Sequence, residues 1–235
     1  MVLFPASSPS QDSQKKAAAE RALEFIPDNC VVGLGTGSTV EFLLEGLAHK
    51  VREGLRVQGV PTSRRTAALA GQLGIPLLPE QEEWNIDVAI DGADQVDPQW
   101  NLIKGGGGAL VREKIVAKAA RRFIVIVDAG KQVPFLGLSF PIPVEVVPFG
   151  WPNTLRFVAS LGSHASFRKR EGSAFVTDNG NYILDLEISE VSHPSDLETR
   201  LNQIPGVVEN GLFSGMTSIL IVGTDQGTKV YDRTI

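Results

Sequence analysis

Four short apolar runs in the first 130 residues each end in a loop of glycine, hydroxyl or carboxylate residues, and no other feature constrains the fold as tightly. The runs are "CVVGL" (30–34), "LRVQGV" (55–60), "IDVAI" (86–90) and "FIVIV" (123–127), and the loops are "GTGST", "PTSRR", "DGAD" and "DAGK". Helical patterns fall before and between them, at 17–26, 40–51, 66–74 and 109–121. Strands alternating with helices imply a parallel sheet covered by helices. In such a sheet all four loops lie beyond the carboxyl ends of the strands, the edge where open α/β sheets bind ligands.

After Lys131 the pattern changes. A strand at 140–148, a helix at 152–162, strands within 164–170 and 174–188, a helix at 194–204 and a strand at 207–213 follow in order. The second stretch contains the Asp178-Asn179-Gly180 turn. This β-α-β-β-α-β order points to a ferredoxin-like unit. The tail 218–232 reads as a hairpin that can return to the first sheet. The expected fold is therefore α/β: a Rossmann-like open, mostly parallel sheet with helices on both faces, plus a smaller ferredoxin-like α+β domain. The expected domains are 1–134 with 211–235, and 135–210.

Bulk properties exclude several classes. The formal net charge is −5 over 235 residues, with no block of Lys or Arg, so no nucleic-acid partner is expected. No apolar run approaches the ~18 residues of a membrane span, so no membrane partner is expected either. The opening "MVLFPASSPSQDSQKK" is short and interrupted by Pro5 and Pro9, unlike a signal peptide. Cys30 is the single cysteine, which rules out an internal disulfide and suits a small core residue. A reducing setting fits: the cytoplasm, or an organelle stroma after removal of a transit peptide.

"GLGTGST" (33–39) resembles a dinucleotide fingerprint, but Ser38 stands where the third glycine belongs. Pro61 and Thr62, not an acid, follow the next strand. What remains is a strand–turn–helix with bare amides and the hydroxyls of Thr36, Ser38 and Thr39, a nest suited to a phosphate monoester. Helix capping by Ser38 or Thr39 is the plainer alternative. In "DGADQVD" (91–97), Asp91 stands directly at a strand end and Asp94 lies three residues on. Two close carboxylates split their pKa values or hold a cation between them, and Lys104 is the nearest candidate. An Asx-type turn is the alternative. The spacing of Asp91, Asp94 and Asp97 is not that of a calcium loop, and His49, His164 and His193 are scattered, so no metal site is expected.

Four glycines, 105–108, precede the helix at 109–121. Glycine loses more backbone entropy on folding than any other residue, so the run is either a spacer or a close approach of backbone to something. On a helical wheel Lys114, Lys118, Arg121 and Arg122 form a basic, solvated stripe. Glu113 falls away from it, on a face with Val116, Ala117 and Ala120. An acid among small apolar residues fits a general base, because desolvation raises its proton affinity, although the helix N-terminus pulls the other way. Pairing with Lys114 or Lys118 at the surface is the alternative. A buried-type acid directly after the glycines favours close approach, with amides at 105–108 turned toward a developing oxyanion.

Taken together, "GLGTGST", "DGAD", "KGGG" followed by "ALVREKIVA", "DAGKQV", "PIPVEV" and "VTDNGNYILD" resemble the ribose-5-phosphate isomerase type A family over nearly the whole chain. The resemblance implies interconversion of D-ribose 5-phosphate and D-ribulose 5-phosphate through an enediol, without metal or cofactor. It implies phosphate and sugar contacts at Thr36, Gly37, Ser38 and Thr39, an aspartate pair at Asp91 and Asp94, and an active-site lysine and glycines at Lys104, Gly105 and Gly106. It also implies a catalytic glutamate at Glu113, a strand-end lysine at Lys131 and an N-terminal helix lysine at Lys15, with Lys16 as the alternative. A homodimer or a dimer of dimers is implied. Two departures stand out: Gly108, where alanine is common in relatives, and "PTSRRT", more basic than the serine-rich form elsewhere.

Two rival classes share this architecture. A non-catalytic sugar-phosphate sensor would keep 36–39 and lose the acids, whereas Asp91, Asp94 and Glu113 are all present. An amino-sugar-phosphate deaminase would place a histidine near the acids, and none lies in the strand-end loops; a CoA-transferase-like enzyme of related architecture is the remaining rival.

Overall fold

The computed structural model describes residues 9–233. They form two compact units, one from residues 9–92, 112–131 and 216–233, the other from 93–111 and 132–215.

The first unit is built on a six-stranded sheet. From one edge to the other its strands are Gly227–Asp232, Ile219–Thr224, Arg122–Asp128, Val88–Asp91, Cys30–Leu34 and Val57–Pro61. All neighbours are parallel except the terminal hairpin, where Gly227–Asp232 runs antiparallel to Ile219–Thr224. The tail thus returns to the first sheet. Six consecutive residues of Arg122–Asp128, from Phe123 on, are buried on both faces, which is why its apolar run does not alternate. One face is closed by Ala18, Ala22, Leu43, Leu44 and Leu47 from two helices, packed on Val32, Leu34, Ile90, Ile124 and Ile126. The chain leaves Cys30–Leu34 for one neighbour, Val57–Pro61, and then returns to the other, Val88–Asp91. That reversal is the topological switch point, the position that opens a crevice at the carboxyl edge.

Most helices begin where local chemistry permits. Ser63 caps Arg64–Gln72 by accepting the Thr66 amide at 3.0 Å. The first helix runs Pro9–Ala22 and continues as a 3-10 turn to Phe25, eight residues longer at its start than the apolar pattern of 17–26 shows. Its polar first half carries no apolar stripe, so periodicity misses it, while proline is tolerated in a first turn.

In the second unit four antiparallel strands lie in the order Val207–Asn210, Ile142–Val146, Tyr182–Glu187, His164–Phe167. In chain order this is fourth, first, third, second, the ferredoxin-like arrangement. Helices Trp151–Ala159 and Pro194–Asn202 supply Val158, Leu197 and Leu201 to a core with Val144, Leu184 and Leu186. A small three-stranded sheet, Leu212–Phe213, Leu102–Ile103 and Gln95–Val96, adjoins the glycine run in sequence. These two-residue strands are too short to show a period. Among the described residues, no helix is long and apolar enough to cross a membrane.

Candidate active site

In the first unit the loop after Cys30–Leu34 and the end of Val88–Asp91 meet at the switch point. The Gly35 amide donates to the Ile90 carbonyl at 3.0 Å, and the Thr36 amide donates to Asp91 Oδ1 at 3.0 Å. Asp91 Oδ1 also accepts the Gly92 amide at 2.7 Å, and the residue is 2% exposed. Any Cβ on Gly35 would lie 2.6 Å from the Asp91 Cβ, inside contact distance, so glycine is required for the acid to sit there.

The helix Ser38–Arg52 starts from Gly37, which has φ +136° and no side chain with which to cap. Neither Ser38 nor Thr39 is the N-cap residue. Among the described residues the amides of Gly37, Ser38 and Thr39 have no acceptor. This is the open, positive end of a helix that attracts an anion. Thr36 departs from the expectation of three hydroxyls facing one ligand. Its Oγ1 lies 2.7 Å from Thr62 Oγ1, 2.9 Å from Ser63 Oγ and 3.1 Å from Thr66 Oγ1.

The helix Leu110–Ala119 crosses Cys30–Leu34 at Gly33, where a Cβ would lie 2.5 Å from Val116 Cγ1. Glu113 is one turn nearer the helix start than Val116 and is 5% exposed. The surface-pairing alternative for Glu113 therefore fails. The basic stripe needs correction too: Lys114 is 8% exposed, whereas Ile115 is 52% exposed. The buried arc is wider than the wheel allowed and takes in Lys114.

Lys131 ends the turn Ala129–Lys131 and is half-buried. On the first helix Lys15 faces inward and Lys16 outward, the latter 3.8 Å from Glu20. Gln14, beside Lys15, accepts the Ala129 amide at 3.2 Å, which ties this helix to the Lys131 turn. Asp128, at the end of its strand, is 1% exposed; Oδ1 accepts the Gly130 amide, and Oδ2 has no hydrogen-bond partner among the described residues.

The second unit carries the remaining candidates. Asp94 Oδ2 accepts the Gly106 amide at 2.8 Å. Lys104 is 2% exposed, with Nζ 5.5 Å from the centre of the Phe213 ring. The carbonyls of Gly105 and Gly106 both accept from Arg168 Nη1, at 2.8 and 3.2 Å, and Arg168 also binds Asp185 through Nε and Nη2. The Gly108 amide closes a turn on the Gly105 carbonyl at 3.0 Å. The run is thus a structured turn, not a spacer. Two of its four amides, those of Gly106 and Gly108, are engaged internally and do not face a ligand. The Asx-type turn occurs at Asp97, whose Oδ1 accepts the amides of Gln99 and Asn101, both at 2.8 Å. Among the described residues no group of three or more His, Cys, Asp or Glu is placed to hold a metal ion.

Sequence reasoning did not single out Thr62, Ser63, Thr66 or Arg168. A hydroxyl-rich strand-end loop was the only signal for the first three. Arg168 had none, because the glycines it holds are 62 and 63 residues away.

Residues 58–227 match the family model "Ribose 5-phosphate isomerase A (phosphoriboisomerase A)". A ribose-5-phosphate isomerase A from Cereibacter sphaeroides is 50% identical, over 95% of this chain and 92% of its own. One from Gloeobacter violaceus is 51% identical, over 93% and 96%. Among solved structures, a D-ribose-5-phosphate isomerase in complex with phospho-erythronic acid superposes with a TM-score of 0.92 at 42% identity, covering 95% of this chain and 99% of that one. The ribose 5-phosphate isomerase A of Methanocaldococcus jannaschii gives 0.89 at 40%, covering 94% and 98%.

An open α/β sheet with a bare helix start and a buried acid at its switch point, in a chain that matches these enzymes over nearly its whole length, marks an isomerase of phosphorylated sugars. More narrowly, the chain belongs to the ribose 5-phosphate isomerase A family.

Proposed function

We propose that the protein interconverts D-ribose 5-phosphate and D-ribulose 5-phosphate through an enediol, with Glu113 as the group that carries the proton between C2 and C1. The observation that carries this reading is the burial of Glu113, 5% exposed on the first turn of a helix seated against Gly33. The open amides of Gly37, Ser38 and Thr39, with the Ser38 and Thr39 hydroxyls, dock the phosphate, and Lys15 and Lys131 supply positive charge. Asp91, held rigid by two amides, assists opening of the sugar ring. Lys104, Asp94 and the amides of Gly105 and Gly107 steady the oxygens as charge develops; Gly106 contributes by fixing Asp94. A positioned base typically contributes ~10²–10⁴-fold and an oxyanion donor on the order of 10²–10³. The chemistry so assigned uses no metal. Phospho-erythronic acid, which a solved relative holds, is the phosphorylated sugar acid we expect to compete with substrate here. A homodimer or dimer of dimers in a reducing, cytoplasm-like setting completes the proposal.

The test is Glu113→Gln, assayed with EDTA present. The amide keeps shape but takes no proton. We expect kcat to fall at least ~10²-fold, sugar-phosphate binding to persist, and exchange of the C2 hydrogen with solvent to stop. Near-normal turnover by the variant would overturn the role of Glu113. Wild-type activity lost to EDTA and restored by a divalent ion would overturn the metal-free chemistry.

A further inference from the structure

The loop after Val57–Pro61 has no role in the reaction as described so far, yet its hydroxyls form one continuous chain with the loop that carries the phosphate nest. Thr62, Ser63 and Thr66 are 1, 6 and 5% exposed. Thr66 Oγ1 donates to the Gly35 carbonyl at 2.8 Å. Ser63 Oγ donates to Thr66 Oγ1 at 3.0 Å, and Thr36 Oγ1 donates to Ser63 Oγ at 2.9 Å. Thr62 Oγ1 lies 2.7 Å from Thr36 Oγ1.

Each hydroxyl has one proton and two lone pairs, which lets the chain run in one sense. The Gly35 carbonyl only accepts, so the Thr66 proton goes there. Thr66 then accepts from Ser63, and Ser63 from Thr36, whose Oγ1 also lies 3.1 Å from Thr66 Oγ1. With the Thr36 proton so placed, Thr62 donates to Thr36. The order Thr62, Thr36, Ser63, Thr66, Gly35 carbonyl uses every proton once. Hydrogen bonds aligned in one sense polarise and strengthen one another.

Downstream, the nest is held by its own helix, whose Val40 and Leu43 lie in the core, and at Gly37 itself an added Cβ would find nothing within 4 Å. On its upstream side the turn is continuous with Gly35 and Thr36, whose side-chain and carbonyl contacts run into the 62–66 loop. Thr36 is correspondingly engaged through both polar groups: its hydroxyl donates once and accepts from Thr62, and its amide is held by Asp91.

We propose that Thr62, Ser63 and Thr66 are positioning residues for phosphate binding. They act through Thr36 and the Gly35 carbonyl to hold the amides of Gly37, Ser38 and Thr39 on the anion, and Thr36 belongs to this scaffold by its hydroxyl. The proposal rests on the reading that the phosphate docks at 37–39. It assigns specificity for phosphorylated over plain sugars to a loop that never touches the substrate.

The test compares Thr66→Val, which keeps the shape and removes the hydroxyl, with Thr66→Ser, which keeps the hydroxyl. Steady-state constants are measured for ribose 5-phosphate and for unphosphorylated ribose, with the inhibition constant of inorganic phosphate and the melting temperature. For Thr66→Val we expect KM and the phosphate inhibition constant to rise together, about three- to tenfold, the range a buried hydrogen bond commands. We expect kcat to stay within about twofold, because this contact is made in ground and transition states alike. The slow turnover of plain ribose should not change, and Thr66→Ser should restore both constants. Thr62→Val, which removes only the first donor of the chain, provides the same comparison if Thr66→Val does not fold. An unchanged KM, a fall in kcat alone, an equal loss with plain ribose, or failure of Thr66→Ser to rescue overturns the proposal. A Ser38→Ala, Thr39→Ala double variant separates the two readings. If it raises KM and Thr66→Val does not, the positioning role alone is wrong. If phosphate does not inhibit the wild type and neither change moves KM, the docking site is wrong and the positioning role falls with it.

Discussion

Gly35→Ala inserts one methyl group at the tightest point of the switch-point crevice, and its consequence can be worked out from the geometry. The new Cβ would stand 2.6 Å from the Asp91 Cβ, and closer still to the carboxyl group, against an ordinary contact of at least 3.4 Å. A separation of about 0.8 Å must therefore open between them, by difference of those two distances. Rotating the Asp91 side chain does not help, because its Cβ is fixed to the backbone. The 35–36 loop must lift away from Val88–Asp91, stretching the Gly35 amide to Ile90 carbonyl bond and the Thr36 amide to Asp91 bond together. Misplacing a reacting group by roughly 1 Å costs on the order of 10²-fold, so kcat should fall by about that factor. Overpacking of this kind costs about 1–3 kcal/mol, which for a chain of this size lowers the melting temperature by about 2–4 °C per kcal/mol. Initial rates of ketose formation, taken well below the melting transition, separate lost geometry from lost folded protein. Gly71→Ala is the matched control: its added Cβ meets nothing within 4 Å, and within Arg64–Gln72 it should stabilise by about 0.4–1 kcal/mol. A Gly35→Ala enzyme with kcat within about threefold of wild type and an unchanged melting temperature would refute both the crowding argument and the weight placed on Asp91.

Gly108→Ala should destabilise, since Gly108 has φ +81° and its Cβ would enter the edge of the Phe175 ring; adding Phe175→Val should recover part of the loss, with a coupling of about 0.5–3 kcal/mol in a double-mutant cycle of melting curves, and strict additivity would show that the ring is not what requires glycine. Cys30 is held up to about 11 by burial first, and then by the charges of Asp87 and Asp28. Only the thiolate alkylates, so iodoacetamide labelling of the folded protein, followed by mass, should be negligible at pH 8 and rise steeply toward pH 11. The sign for stability is the same, since the folded state retains the proton longer: the stabilisation is present below the ordinary thiol value of 9.0 and is lost as pH rises through about 11. Rapid full labelling at pH 7 would contradict the burial.

The sheet was legible because it is built from features that a linear pattern records. Cys30–Leu34 and Arg122–Asp128 are apolar runs bounded by turn residues, and each loop chemistry falls directly at a strand end. The acids were legible for the same reason: Asp91 closes a strand, and Glu113 sits on the face of Val116 and Ala117. What escaped has no local signature. The helix of Lys15 has a polar first half with no period, so the resemblance named that lysine and the pattern did not. The hydroxyl chain joins Thr36 to residues 26, 27 and 30 positions away, and no spacing rule links two loops across a sheet. Lys114 was misplaced because a charged side chain beside Lys118 reads as solvated, whereas the residue is buried.

The four glycines show where such reading stops. Sequence alone poses one question of the run, spacer or close approach, and treats its members alike. The structure separates them. Gly105 and Gly108 take φ of +102° and +81°, a region that disfavours other residues. Gly106 is needed for a different reason, because a Cβ there would lie 2.9 Å from Phe140 Cζ and 2.8 Å from Asp94 Oδ1. Its amide is the one that fixes Asp94, and its carbonyl shares Arg168 with that of Gly105. An oxyanion site drawn from all four amides would therefore count donors that the fold already uses. Only the amides of Gly105 and Gly107, which have no acceptor among the described residues, remain for the oxyanion contact proposed beside Lys104. The chemistry assigned to this turn needs few donors held rigidly more than it needs many, and Arg168, invisible in the sequence pattern, shares with Asp94 in holding the turn.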